Sequence, residues 1–263
     1  MMPIAHSPSA AAGRWLLLFG LCLPLVSQAL CSRHEPGTLW NYQGLIANQY
    51  RVRMTLVFSG ETLKGVYFYG SQLRDIALRG ELRNGRDLRL EELDATGKVT
   101  GYFTAEFPER DPGTIYGDSP LTCDVIAGHW QGVDGKPPLT VYLTTESSTA
   151  GSLQHRYGAI GVRDDEIVNR GATRFWRGVK AGDKASVAAQ IRYPVTLGLD
   201  GKRVTLKSPA ALLARYDDIF TPALREQIQQ GLPRNMFVRD QGAMLGSGVV
   251  WFGADGKVIA LNN

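Results

Sequence analysis

The residues that could do chemistry in this chain are few, and their spacing narrows the choices. Of its four histidines, His34, His129 and His155 lie beyond the first thirty residues, and no two of them are spaced as metal ligands on one element. His34-Glu35 lacks the second histidine of a zinc-binding helix. Ser247 stands between Gly246 and Gly248, but the outer glycines of a nucleophile elbow are missing. No serine has a lysine three positions on, and no phosphate-binding loop or dinucleotide fingerprint occurs. Gly117-Asp118-Ser119 has the composition of a hydrolase nucleophile triplet, yet it sits in a proline-rich loop with no helix after it. The expectation is therefore no catalytic residue, no metal and no cofactor.

Carboxylates gather at Glu91-Glu92 with Asp94, at Asp164-Asp165-Glu166 and at Asp217-Asp218. Glycoside hydrolysis needs two carboxyl groups about 5–9 Å apart in one cleft. Neighbours on a strand point to opposite faces, so Glu91 and Glu92 cannot share a site. The Asp164 run reads as a solvated turn or a weak calcium site. Asp217-Asp218 falls at the end of an expected helix, against the dipole, which calls for a partner such as Arg215 or Lys202.

Binding is the better prospect. The stretch 108–123 breaks the strand rhythm with Pro108, Pro112, Gly113, Gly117 and Pro120, and irregular loops often carry binding surface. Its Asp111, Tyr116 and Asp118, with His129 and Trp130 on the following strand, are the candidate binding residues. His129 and Trp130 must face opposite ways. The other aromatics are Tyr67, Tyr69, Tyr102 and Tyr142, then Trp176, Tyr193, Tyr216 and Trp251; most are expected in the core.

The first thirty residues set the compartment. Arg14 precedes the apolar run 15–26, and small Ser27 and Ala29 follow, the layout of a secretory signal peptide over residues 1–29. The run is shorter than the about 20 apolar residues of a spanning helix and contains Pro24, so no stable membrane insertion is expected after cleavage. Acylation of Cys31 is the alternative, although Leu30 is bulky for that site. Cys22 would leave with the leader, and Cys31 and Cys123 would then be joined most simply as a disulfide in an oxidising space. Such a bond closes a loop of about 90 residues and contributes roughly a few kcal/mol. The mature chain is expected to be periplasmic or secreted.

Two textures position these residues. Residues 30–147 read as an antiparallel β meander of seven or eight short strands. Tyr50–Phe58 alternates polar and apolar, and Asn84-Gly85 joins two alternating runs in a hairpin. Gly65, Gly80, Gly101 and Gly128 recur inside strands, often just before an aromatic, as corner-turning positions of a small barrel. This pattern resembles the antiparallel barrels of lipocalin-like and avidin-like proteins. Residues 158–263 read as mixed. A helix is expected over 181–191, a hairpin around Asp200-Gly201, one helix from Ser208-Pro209 to Ile219 and another from Thr221-Pro222 to Gly231. Strands follow at 243–245, 248–252 and 258–261. The string Arg215-Tyr216-Asp217-Asp218-Ile219-Phe220, with Gly242–Gly248 and Trp251-Phe252, resembles a C-terminal module of uncharacterised exported bacterial proteins. That resemblance implies an α+β fold in the cystatin or NTF2 manner and no activity.

With 44% hydrophobic and 21% charged residues the chain can bury a core and need not be disordered. Its net charge of +4 is spread, and Arg51, Arg53, Arg74, Arg79, Arg83, Arg86 and Arg89 fall mostly in alternating stretches. That is the wet face of a sheet, not a phosphate-tracking patch, so nucleic acid is not an expected partner. The expected function is a non-catalytic exported module that binds a protein of the bacterial envelope, as inhibitors and toxin-neutralising immunity proteins do. The alternatives are a carrier of a small apolar ligand inside the barrel, and an envelope-polymer hydrolase with an unrecognised carboxylate pair.

Overall fold

The computed structural model describes residues 35, 37–113, 115, 123–199, 202–239 and 242–262. The expected leader, Cys31, Tyr116 and Asp118 lie outside the described residues. The fold is mainly β. Eight antiparallel strands close into a barrel in simple sequence order: β1 (Thr38–Ile46), β2 (Tyr50–Ser59), β3 (Thr62–Tyr69), β4 (Ile76–Arg83), β5 (Asp87–Leu93), β6 (Val99–Glu106), β7 (Val125–Gly132) and β8 (Leu139–Ala150). Pairing of β1 with β8 completes the ring and removes both sheet edges.

Alternation along each strand sends one set of side chains inward, where they pack as one cluster. It includes Tyr42, Val52, Met54, Leu56, Phe58, Tyr67, Leu90, Phe103 and Leu143. Eight strands give an interior just wide enough for side chains to fill. The strand glycines permit the tight closure. A Cβ at Gly65, Gly80 or Gly128 would stand 2.4, 1.9 or 2.3 Å from a carbonyl oxygen of the neighbouring strand. A register shift between Asn41 and Tyr42 bends β1, and both residues are buried, on opposite sides of the barrel wall.

The second half contains α1 (Asp165–Ala181), α2 (Lys184–Ala189), β9 (Val195–Leu199), β10 (Lys202–Leu206), α3 (Pro209–Leu213), α4 (Tyr216–Ile219), α5 (Pro222–Gln230), β11 (Phe237–Arg239), β12 (Gly242–Leu245), β13 (Val250–Phe252) and β14 (Val258–Leu261). Its strands form a six-stranded sheet ordered β10-β9-β14-β13-β12-β11, antiparallel except where β14 meets β9. Helices and sheet share one apolar core around Phe175, whose ring lies 6.2 Å from Phe220 and 5.7 Å from Phe252. The caps expected from sequence are in place: Ser208 accepts from the Ala211 amide and Thr221 from the Leu224 amide.

Several expectations are corrected. The Asp164 run is not a solvated turn or a calcium site but the start of α1: Asp164 caps the helix and Asp165 accepts from the backbone amides of Arg156 and Tyr157. That 17-residue helix escapes a sequence reading because Asp165–Ala181 carries two glycines and scattered arginines on its exposed side. The helix expected over 181–191 is shorter, with Asp183 as its cap. The helix from Ser208 breaks at Ala214-Arg215 and restarts as α4. Asp217 and Asp218 therefore lie in a first turn, where the dipole favours them, and pair with Lys184 at 2.7 Å and Arg215 at 3.5 Å, not with Lys202. Strand β8 runs on to Ala150, and β11 was not expected. The wet-face reading holds for Arg79 and Arg86, which pair with Glu91 and Glu106, but fails at Arg53, which is only 6% exposed. No helix among the described residues is long and apolar enough to cross a membrane.

Candidate functional site

The outward faces of β1 and β2 are covered by the second half, and the seam is built from arginines. Along β2, Val52, Met54 and Leu56 point into the barrel, while Arg53 and Thr55 point out and are buried too. Arg53 donates through Nη1 to the carbonyls of Leu232 (3.2 Å) and Arg234 (2.8 Å), and through Nη2 to Glu146, while its buried Nε has no partner among the described residues. Arg156, 1% exposed, donates through Nη1 to Asn41 Oδ1 and through Nη2 to Thr55 Oγ1, each at 2.9 Å. Thr55 donates in turn to Asn41 Oδ1 at 2.8 Å, and Asn41 Nδ2 donates to Ser147 at 3.1 Å. Burial draws the Arg156 guanidinium below its ordinary pKa, opposed by the Tyr157 hydroxyl and Asp75.

A third arginine fastens the other side. Arg234 holds both oxygens of Asp75 at 2.9 Å and reaches Glu166 at 2.8 Å. Burial works against its charge, but Asp75 and then Glu166 prevail and raise its pKa.

Two openings run along this seam. The larger, of about 990 Å³, lies between the β1–β2–β8 wall and the second half; Gln43, Glu146 and Ser147 face Gln227, Gln230, Phe237 and Met244 across it. The turn from β12 to β13 borders it with three successive residues at positive φ, Gly246 (61°), Ser247 (56°) and Gly248 (97°). Ser247 is the uncommon case, since a side chain rarely adopts that conformation. The Gly248 carbonyl is held by Trp251 Nε1 at 2.9 Å and Asn262 Nδ2 at 2.7 Å. The second opening, of about 590 Å³, is lined by Tyr50, Tyr69, Trp176, Arg177 and Lys180, and shares Arg51 and Leu232 with the first.

No protein-family model matches this chain, and no curated protein matches its sequence.

A polar cluster also closes one end of the barrel interior. Glu92, 8% exposed, accepts from the Tyr67 hydroxyl, from Trp130 Nε1 at 2.8 Å and from Thr100 Oγ1 at 2.6 Å. Burial first, then Tyr69 and Glu92, push the Tyr67 hydroxyl far above its ordinary pKa. The indole of Trp130 covers Gly101 on neighbouring β6, where a Cβ would stand 2.9 Å from its Nε1.

The sequence-derived binding residues are dispersed. Trp130 belongs to the Glu92 cluster inside the barrel, and His129 is exposed on the outer wall opposite Thr104 and Thr140. Asp111 accepts from the Tyr142 hydroxyl at 2.7 Å and from the amides of Gly113 and Ile115, and so staples its own loop. Cys123 is buried at positive φ where that loop enters β7. Glu91 and Glu92 do face opposite ways, Glu91 out to Arg79 and Glu92 in. Sequence reasoning missed Arg53, Asp75, Arg156 and Arg234, whose partners across the seam lie about a hundred residues away or more. The one local signal was Arg53 and Thr55 within a strand, and it is identical to that of a wet face. Among the described residues no three His, Cys, Asp or Glu side chains gather as metal ligands.

Proposed function

We propose that this chain is an exported, non-catalytic protein-binding module of the inhibitor or immunity type, and that it grips its partner in the cleft between barrel and second half. The observation that carries this reading is the 990 Å³ cleft itself. It is roofed by two units fastened to each other, and its glutamines, serines, Phe237 and Met244 offer hydrogen bonds and apolar contact. A platform held by Arg53, Arg156 and Arg234 is pre-organised, which lowers the ordering cost of binding.

The accompanying proposals are a signal peptide over 1–29, a periplasmic or secreted location and a Cys31–Cys123 disulfide. Cys123 supports the last by being buried where its loop enters β7. Helices packed against a six-stranded sheet support an α+β class for the second half, in the cystatin or NTF2 manner. The carrier alternative is weakened by the large side chains that occupy the barrel interior. The hydrolase alternative needs paired carboxylates, and among the described residues Glu146 is the one acid that lines the larger cleft.

Photo-cross-linking tests the reading. A benzoylphenylalanine at Gln227 or Ser147 is expected to capture one stoichiometric protein from envelope extract, and the same group at Thr104 on the outer wall is not. Equal capture at all three positions, or none at the cleft, sinks it.

A further inference from the structure

The smaller opening at the seam has an unbalanced charge. Arg51, Arg177 and Lys180 line it, and among the described residues no aspartate or glutamate does. None of the three forms an ion pair among the described residues: Arg51 donates to the Gln230 carbonyl, and Lys180 lies 5.0 Å above the Trp176 ring. Several exposed arginines elsewhere are neutralised locally, Arg79 by Glu91, Arg86 by Glu106 and Arg192 by Asp255, and the three cations of this opening are not. Three cations without counter-charge in one concavity repel one another, and an anion entering there relieves that repulsion.

Aromatic surface accompanies the charge. Tyr50 is 48% exposed and packs edge-on against Tyr69, with ring centroids 6.2 Å apart, and Trp176 stands in the same lining. Exposed tyrosine and arginine beside a half-buried tryptophan are the residue types that dominate protein-binding energy. The opening abuts the 990 Å³ cleft, with Arg51 and Leu232 lining both. There Gln43, Gln227 and Gln230 provide amides that can both donate to and accept from peptide groups.

We infer that the occupant of this groove is an extended acidic polypeptide segment of the partner. Its carboxylates meet Arg51, Arg177 and Lys180, and its backbone runs on between the glutamines of the larger cleft. The inference rests on the protein-binding reading above and specifies the partner's chemistry. Peptide is favoured over an anionic glycan by those glutamines and by the apolar Phe237 and Met244, which suit a backbone with side chains.

The experiment is fluorescence anisotropy with the full mature chain. The probes are labelled peptides of about a dozen residues, alternating Glu-Ala, Gln-Ala and Lys-Ala, and a sulfated hexasaccharide, each at low and physiological salt. The Glu-Ala peptide is expected to bind at least about tenfold tighter than Gln-Ala, and Lys-Ala not to bind. Salt should weaken the Glu-Ala complex. Arg51→Gln, Arg177→Gln and Lys180→Gln are each expected to lower its affinity about threefold or more, and Arg83→Gln, beside the β4–β5 turn, is not. Equal binding of Glu-Ala and Gln-Ala overturns the acidic segment while leaving a protein-binding cleft. Tighter binding of the hexasaccharide than of any peptide overturns both. Loss of binding in none of the three groove variants, or binding of no probe, overturns the assignment of the groove, and the cross-linking test then judges the protein-binding reading by itself.

Discussion

Arg156 shows how one side chain joins two halves of a molecule. Its buried guanidinium meets no carboxylate among the described residues and is held by Asn41 and Thr55 on the barrel wall. Guanidinium suits this place because it presents several donors in a fixed fork and keeps its charge even when burial depresses its pKa. Arg156→Ala leaves Thr55 without its donor, removes one of two from Asn41 and opens a cavity. It is expected to destabilise the fold by about 3 kcal/mol. Arg156→Met keeps the volume and should cost about half as much. Urea unfolding compares the two, and an unchanged midpoint for the alanine variant would show that Arg156 is not a structural bolt. Nothing near position 156 announces this role: a single arginine between His155 and Tyr157 has the composition of a loop.

At the scale of elements the barrel was the most legible part. Period-2 alternation, Asn84-Gly85 and the in-strand glycines are local signals, and the structure places eight strands where seven or eight were expected. The glycines have a physical function that can be tested. Gly80→Ala would press a methyl group to 1.9 Å from the Arg89 carbonyl, so it is expected to cost about 1–3 kcal/mol or more. Gly198→Ala, on β9 with none of the described residues within 4 Å of the new Cβ, should stay within about 0.5 kcal/mol. Thermal or urea unfolding of the pair decides, and similar losses at both sites would mean that strand glycines serve propensity, not closure. The helices were less legible. The break at Ala214-Arg215 occurs inside a run that could have continued as helix, and it is Tyr216 stacked on Phe220, with centroids 4.5 Å apart, together with Ile219 in the core, that marks the new turn. That is packing overriding propensity.

For the whole molecule, the seam makes an alkaline prediction. Tyr157 is fully buried there, donating to Asn169 at 2.8 Å and accepting from the Met236 amide at 3.0 Å, and burial raises its pKa from 10.0 to about 12. Burial lifts Tyr193 to about 12 as well, and Tyr42 and Tyr67 beyond that. The unfolded chain releases these phenolic protons near pH 10.0 while the folded one keeps them. Between about 10 and 12 unfolding therefore releases protons, and stability present below pH 10 falls as pH rises. Urea midpoints measured from pH 9 to 12 should decline across that window; a flat series would mean solvent already reaches the hydroxyls. The sequence by itself determined the strands, the turns, the caps at Ser208 and Thr221 and the opposite facing of Glu91 and Glu92, because each follows from neighbours a few residues apart. Only the tertiary structure decided that Arg53 and Thr55 are buried, that Glu92 closes the barrel beside Trp130, and that a charged cleft lies between the halves. Those outcomes depend on which surface covers which. A strand's outward face carries the same alternating pattern whether water or another part of the chain lies against it.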